Sequence, residues 1–390
     1  MKRLFAFLTV LGLLLALGCE NVTDPSSEVV DQSENEAAEI AANLAKERAE
    51  IEIEQREHEE IMARYRVMLS KRTANATFQG SKITVPDDFA TIQAAVNAAA
   101  PGTKIKIKEG FYDEQVTVMT ADLRITAEGA VTVNRGFVIS NTSGVELENM
   151  TIRRTVGNDD AVVVDNCSDI TIQDNIIHGD SDGIRMDDTV ESLIKGNTIT
   201  TSFDEGIEFD SGCDDNVVEE NIVDADDEGI ELDGSDNNEI ADNSFTSNDD
   251  EGIDLQNSNG NEIVDNMISD VNEEGIKLEN ADDNEISDNT ITAPTLSGIR
   301  LFSNSVNNEI SDNIIDNAGV DGIRLGNNAD DNTVGPDNIV SNSVRDGLRV
   351  NGSADNNTVK KNTFCGSGGL DINDLSASTT LKDNETGACN

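Results

Sequence analysis

The sequence predicts an all-β solenoid: a single-stranded right-handed parallel β-helix of about a dozen coils, with an N-terminal capping helix and a helical stalk before it. Three observations predict it. An acid-Gly-Ile-charged-apolar motif returns about every 23 residues through the second half of the chain. Asparagine returns at two further positions with the same period. Aromatic residues are only 3% of the chain and Trp is absent, so repetition rather than aromatic packing must build the core.

The repeat glycines are Gly183, Gly206, Gly229, Gly252, Gly275, Gly298, Gly322 and Gly347, spaced by 23 five times and then by 24 and 25. Register this strict marks stacked coils, each buried by its neighbours. Ile184, Ile207, Ile230, Ile253, Ile276, Ile299, Ile323 and Leu348 follow the glycines. Met186, Phe209, Leu232, Leu255, Leu278, Leu301, Leu325 and Val350 lie two further on, so alternation points both sets inward. One asparagine ladder runs Asn197, Asn221, Asn243, Asn266, Asn289, Asn313, Asn338, Asn362, and a second runs Asn216, Asn238, Asn261, Asn284, Asn308, Asn332, Asn357. Stacked Asn side chains hydrogen-bond along a column and to turn backbone, and Asn tolerates left-handed geometry. The Leu-x-x-Leu-x-Leu pattern of a leucine-rich horseshoe is missing. Weaker coils continue backward through Ile177, Asn175, Ile172, Ile170, Ile152, Leu147 and Val145, which gives a solenoid over about 80–390.

Ahead of it, Lys2 and Arg3 precede an apolar run from Leu4 to Leu17 that is short for a membrane span. The run ends Leu15-Ala16-Leu17-Gly18-Cys19, which resembles the lipobox of bacterial lipoproteins. That resemblance implies a signal peptide over 1–18, a lipid on Cys19, and a cell-envelope protein whose first partner is a membrane. Residues 19–34 read as a solvated tether. Residues 35–72 have helix-forming composition without Gly or Pro, a stalk whose stripe of Ile40, Leu44, Ile51, Ile61, Tyr65 and Met68 leaves a coiled coil open. A strand at Ile83–Val85 then leads into a cap helix at about 88–100, ended by Gly102. Together with Gly110-Phe111-Tyr112-Asp113-Glu114, this stretch resembles the opening of pectin-lyase-like β-helix proteins, where the helix plugs the open end of the stack. The repeats over about 80–390 resemble the family shared by NosD-like periplasmic proteins, mannuronan epimerases and pectin-degrading enzymes.

Cys167 and Cys213 are 46 residues apart, two coils, and so lie ~10 Å apart, too far to bridge. They are expected as small core residues. Cys365 and Cys389 are 24 apart, one coil, and are expected to form a disulfide that staples the last turn.

Lys and Arg total 27 against 77 Asp and Glu, a net charge of -50, which excludes nucleic acid as a partner. The only histidines are His58 and His178, which weighs against a Ser-His-Asp triad and against a His-built zinc or copper site. Stacking turns the acids into columns. Asp182, Glu205, Glu228, Glu251 and Glu274 precede the glycines, with Asp204, Asp227, Asp250 and Glu273 one position earlier. Two after each glycine, expected to point outward, come Arg185, Glu208, Glu231, Asp254, Lys277, Arg300, Arg324 and Arg349. Asp187, Asp210, Asp233 and Glu279 lie two further on. Neighbours ~4.8 Å apart with like charge repel by ~0.9 kcal/mol in water and ~3.5 kcal/mol at an effective dielectric of 20. Bound Ca²⁺, high salt or protonation must offset this, and Glu208, Glu231, Asp254, Asp210 and Asp233 are the candidate Ca²⁺ ligands. The competing account is a solvated acidic surface adapted to a saline medium.

Three functions stay open. The first is a binding protein that engages acidic polysaccharide or surface partners, with Arg300, Arg324 and Arg349 pairing with uronate carboxylates. The second is a polysaccharide lyase or hydrolase acting on polyuronates. Asp182, Asp204 and Asp227 resemble the catalytic aspartates that polygalacturonase-like enzymes carry on successive coils, and Arg185 or Lys277 would be the base of a lyase. The Gly-His-Gly, Arg-Ile-Lys and Asp-Pro-His-Asp elements of those families are absent, which puts their chemistry in doubt. The third is a NosD-like maturation role, for which no copper ligand set is visible.

Overall fold

The structure, a computed structural model, describes residues 81–389 except 155, 156, 158 and 202. The signal peptide, Cys19, the tether and the 35–72 stalk lie outside the described residues. Within them the chain is a parallel β-helix of 37 short strands. They form a 12-stranded sheet, which is the first face, and a 25-stranded sheet that wraps round the other two.

One coil shows the plan. Ile230–Asp233 lies on the first face, Glu239–Ala241 on the second and Ser244–Thr246 on the third. The next coil repeats each strand in register, with Ile230 on Ile253, Glu231 on Asp254 and Leu232 on Leu255. Ile207, Ile230, Ile253, Ile276 and Ile299 are fully buried, as are Phe209, Leu232, Leu255, Leu278 and Leu301. Period-two alternation has therefore placed the core as expected.

Both asparagine ladders exist. Asn266 Oδ1 accepts from the Asn243 backbone N–H at 3.0 Å and from its side-chain amide at 3.1 Å, while the Asn266 amide donates to Ile240 O at 2.7 Å. The left-handed residue at this corner is the one before each ladder Asn. Asp242, Asp265 and Asp288 have φ of 56°, 55° and 55°. The Asp accepts the backbone cost of the bend, and the Asn behind it satisfies the buried polar groups.

The repeat glycines serve close approach rather than turning. A Cβ on Gly252 would lie 2.5 Å from Ile268 Cγ2 and 2.7 Å from Gly275 O. Only glycine lets the coil enter the first face this close to its neighbour.

The cap helix α1 spans Ile92–Ala98, shorter than the expected 88–100. Thr91 starts it by accepting from the Ala94 N–H at 3.1 Å, and Ala99 turns to extended backbone two residues before Pro101. Glu114, in the Gly110–Glu114 motif, accepts from the Ile92 and Gln93 N–H groups at 2.8 and 2.9 Å, so its carboxylate faces the positive helix end. At the other terminus Cys365 and Cys389 form the expected disulfide, with Cα atoms 5.1 Å apart. Cys167 and Cys213 are free and buried.

Candidate functional site: a carboxylate column meeting an arginine row

The first face carries the site, at the point where each coil enters its Gly-Ile strand. Four groups of carboxylates lie there, each with ligand oxygens within 4.8 Å of one another: Asp182, Asp204 and Glu205; Glu205, Asp227 and Glu228; Glu228, Glu251 and Asp254; Glu251, Glu273 and Glu274. Successive groups share a residue through Glu205, Glu228 and Glu251, so they form one continuous ladder. The three expected catalytic aspartates, Asp182, Asp204 and Asp227, all fall on it.

Much of the ladder is buried. Asp254 has no exposed surface, and Glu251 and Glu274 have 1% each. Asp254 was expected to point outward. The Lys277 ammonium covers it at 2.9 Å and Gln256 donates to it at 3.2 Å, which takes it out of solvent. Asp182 Oδ1, Asp254 Oδ1 and Glu274 Oε2 are buried without a hydrogen-bond partner. Such orphaned oxygens are costly unless protonated or bound to a cation.

Burial therefore dominates the titration. It pushes Glu228 up to about 9, helped by Asp227 and Glu231, and pushes Glu231 up to about 7, helped by Glu205 and Asp254. Asp182 moves up through burial and then its contacts with Glu205 and Glu208. Asp227 moves up through burial and then Asp250. Glu251 moves up through burial and Asp254, with Lys277 opposing. For Lys277 burial disfavours the charge, and Asp254 and Glu251 outweigh it.

Cations close both ends of the acidic stretch. Arg185 pairs with Glu208 at 2.8 Å and with Asp210. Lys277 bridges Glu251 and Asp254 at 2.9 Å each, and Arg300 holds Glu274 at 2.9 Å. Of the expected Ca²⁺ ligands, Asp254 lies in the ladder, Glu208 and Asp210 are held by Arg185, Glu231 accepts from Gln256 at 2.6 Å, and Asp233 accepts from Asn257 at 2.9 Å. The column immediately before the glycines, of which the sequence reading singled out only Asp182 for a role, supplies most of the ladder. Its signal was present: Asp or Glu at five successive coils beside an invariant close-packed glycine.

The arginine row is real. Arg300, Arg324 and Arg349 pair in register across three coils. Arg300 also lies over the Phe302 ring at 4.3 Å, and Arg349 pairs with Asp346 at 3.0 Å.

A coiled stack with a charged ladder on one flank defines a class of parallel β-helix proteins, and comparison narrows it. The family model described as periplasmic copper-binding protein (NosD) matches residues 92–271 and again 205–320, together more than half of the 390 residues. The chain belongs to this family, and an extracytoplasmic location follows from it. No curated protein matches the chain. Among solved structures it is similar to the catalytic unit of an alpha-1,3-glucanase from Streptomyces thermodiastaticus (TM-score 0.61, 16% identity, covering 82% of this chain and 69% of that one). It is also similar to the A-module of a mannuronan C-5 epimerase from Azotobacter vinelandii (0.56, 15%, 81% and 99%). A third is a periplasmic alginate epimerase (0.51, 16%, 78% and 85%). At these identities the likeness is one of fold.

Copper, which the family description names, does not fit the ladder. Its donors are carboxylate oxygens alone, whereas copper is selected by imidazole, thiolate or thioether. His178, the only described histidine, is half-buried against Thr200 at 2.6 Å. A hard divalent ion such as Ca²⁺ fits: it takes several oxygens at ~2.3–2.6 Å, so opposed ligands sit up to ~5 Å apart.

Proposed function

We propose that the protein is a binding scaffold of the cell envelope, lipid-anchored through Cys19, that takes up hard divalent cations, Ca²⁺ foremost, on the carboxylate ladder and binds acidic polysaccharide beside it. The observation that carries the cation reading is the set of orphaned, buried oxygens on Asp182, Asp254 and Glu274 within a ladder of shared triads. A solvated halophilic surface would leave its carboxylates in water, where they need no partner. Buried ones need a proton or a cation. The test is thermal melting of the full chain in EDTA, in millimolar Ca²⁺, in Cu²⁺, and in KCl of matched ionic strength. The reading expects Ca²⁺ to raise the midpoint well beyond KCl. Equal shifts in both would sink it.

One observation favours a second reading, a polyuronate lyase or glycoside hydrolase. Asp182, held protonated by burial, shares a triad with Asp204 and Glu205, so a proton donor stands beside further carboxylates as glycoside cleavage requires. Product formation from polyuronates by wild type that is lost in Asp182→Asn, with the fold retained by circular dichroism, would establish it over the scaffold.

A further inference from the structure

Of the five cations two positions after a repeat glycine, four are ion-paired among the described residues and one, Arg324, is not. Lys277 and Arg300, two positions after their repeat glycines, reach the acid just before the glycine of the preceding coil, Glu251 and Glu274, both at 2.9 Å, whereas Arg185 pairs with Glu208 and Arg349 with Asp346. One coil further, Arg324 should find such an acid at position 297, and the residue there is Ser297. The acid of its own coil, Asp321, is fully buried and taken by Arg345, whose Nε donates at 2.7 Å. Arg324 makes no ion pair or hydrogen bond among the described residues, although the chain carries 77 acids.

Around it the acids are thinned out, leaving the buried Asp321 as the negative charge that still attracts it. Leu296 and Val320 stand where the middle coils have Asp227, Asp250 and Glu273, and Gly326 stands where they have Asp210, Asp233 and Glu279. In register above and below lie Arg300 and Arg349. Burial and those neighbouring charges pull the Arg324 guanidinium below the ordinary arginine range. Independently, Ser297 Oγ is buried and has no hydrogen-bond partner, and Ser297 occupies the repeat position that Glu274 holds one coil earlier.

We propose that Arg324 and Ser297 form an anion subsite that takes a carboxylate of an acidic polysaccharide, the ligand's carboxylate standing where Glu274 stands one coil earlier. A guanidinium fork matches a carboxylate in shape and charge, and a hydroxyl at the repeat position that faces it in the preceding coil would add a donor. The proposal rests on the polysaccharide half of the functional reading and narrows it to uronate-bearing chains. It is separate from the cation ladder, whose nearest triad ends at Glu274.

The test is calorimetric titration of the full chain with a galacturonate trimer, a neutral glucose trimer and inorganic sulfate. Wild type should bind the galacturonate trimer and not the glucose trimer. Arg324→Gln should weaken binding at least tenfold. Ser297→Glu supplies an internal carboxylate to Arg324 and should abolish binding while raising the melting midpoint, which separates it from a misfolded variant. Arg135→Gln removes a charge far from the row and should bind as wild type. Sulfate alone binding, without the trimer, would overturn the carboxylate assignment. Unchanged trimer affinity in both Arg324→Gln and Ser297→Glu would overturn the subsite yet leave polysaccharide binding standing. Wild type that binds no polyuronate would remove both.

Discussion

Glu228 belongs to two triads at once, so replacing it by glutamine interrupts the ladder at its centre. Burial raises its pKa from an ordinary 4.5 to about 9. A carboxyl with a raised folded pKa stabilises the protein fully below about pH 4.5, and that contribution drains away as pH climbs towards about 9. By pH 8 the interval is about 3.5 units, worth up to about 5 kcal/mol at 1.36 kcal/mol per unit. Even about 2 kcal/mol would move the midpoint by about 3 °C, since each kcal/mol shifts a solenoid of this size by about 1.5 °C. Glutamine keeps the shape and cannot ionise, so Glu228→Gln should match wild type at pH 5 and exceed it at pH 8 in EDTA. Ca²⁺ should restore wild type at pH 8 and help the variant less.

Repeat arrays open locally, so the midpoint should be checked against hydrogen exchange of the Ile230–Asp233 and Ile253–Gln256 amides. Cation uptake must also expel protons from carboxyls held neutral by burial. Calorimetry of Ca²⁺ binding at pH 7 in two buffers of different ionisation enthalpy counts them, and Glu228→Gln should lower the count. If wild type and variant lose stability in parallel as pH rises, Glu228 does not titrate in this range and the electrostatic account of the ladder is wrong.

Three other outcomes follow from the fold. Asn266→Ala strips a partner from the Asn243 N–H, the Asn243 amide and Ile240 O, and should cost about 3 kcal/mol, read by denaturant melts. Gly252→Ala drives a Cβ against Ile268 and Gly275 O and should cost about 1–3 kcal/mol, with exchange accelerated in that coil and its neighbours. Glu114→Gln weakens the charged cap on α1 and should cost about 1 kcal/mol, seen first as faster exchange at Ile92 and Gln93, and less so in high salt.

What was legible in the sequence was whatever depends on spacing. The inward Ile and Leu pairs, both asparagine ladders, the Cys365–Cys389 bridge and the register of Arg300, Arg324 and Arg349 all follow from a constant coil length. What was not legible depends on how far a side chain reaches across coils. Asp254 alternates outward on its strand and still ends fully buried, because Lys277 of the next coil folds over it. The acids before the glycines look like loop charge in sequence. They are buried because the glycine beside them lets neighbouring coils approach within contact distance. The same reach explains why an arginine row that reads as uniform is not. Arg300 and Arg349 are held by acids, and only Arg324 is left without one.

The distribution of countercharge decides between a saline surface and a site. Like charges ~4.8 Å apart repel all along the column, and the protein offsets this differently at each level. At the N-terminal end Arg185 neutralises Glu208 and Asp210, and at the C-terminal end Lys277 and Arg300 neutralise Glu251, Asp254 and Glu274. Between them Glu205, Asp227, Glu228 and Glu231 have no ion pair with Lys or Arg among the described residues. Bulk salt would favour no particular coil, and a chain selected only for salinity would have no reason to fix lysine and arginine at the ends while leaving the centre open. A mobile cation does give a reason: tethered cations bound a stretch of about two coils, and the carboxylates inside it are the ones whose protons must leave for the cation to enter.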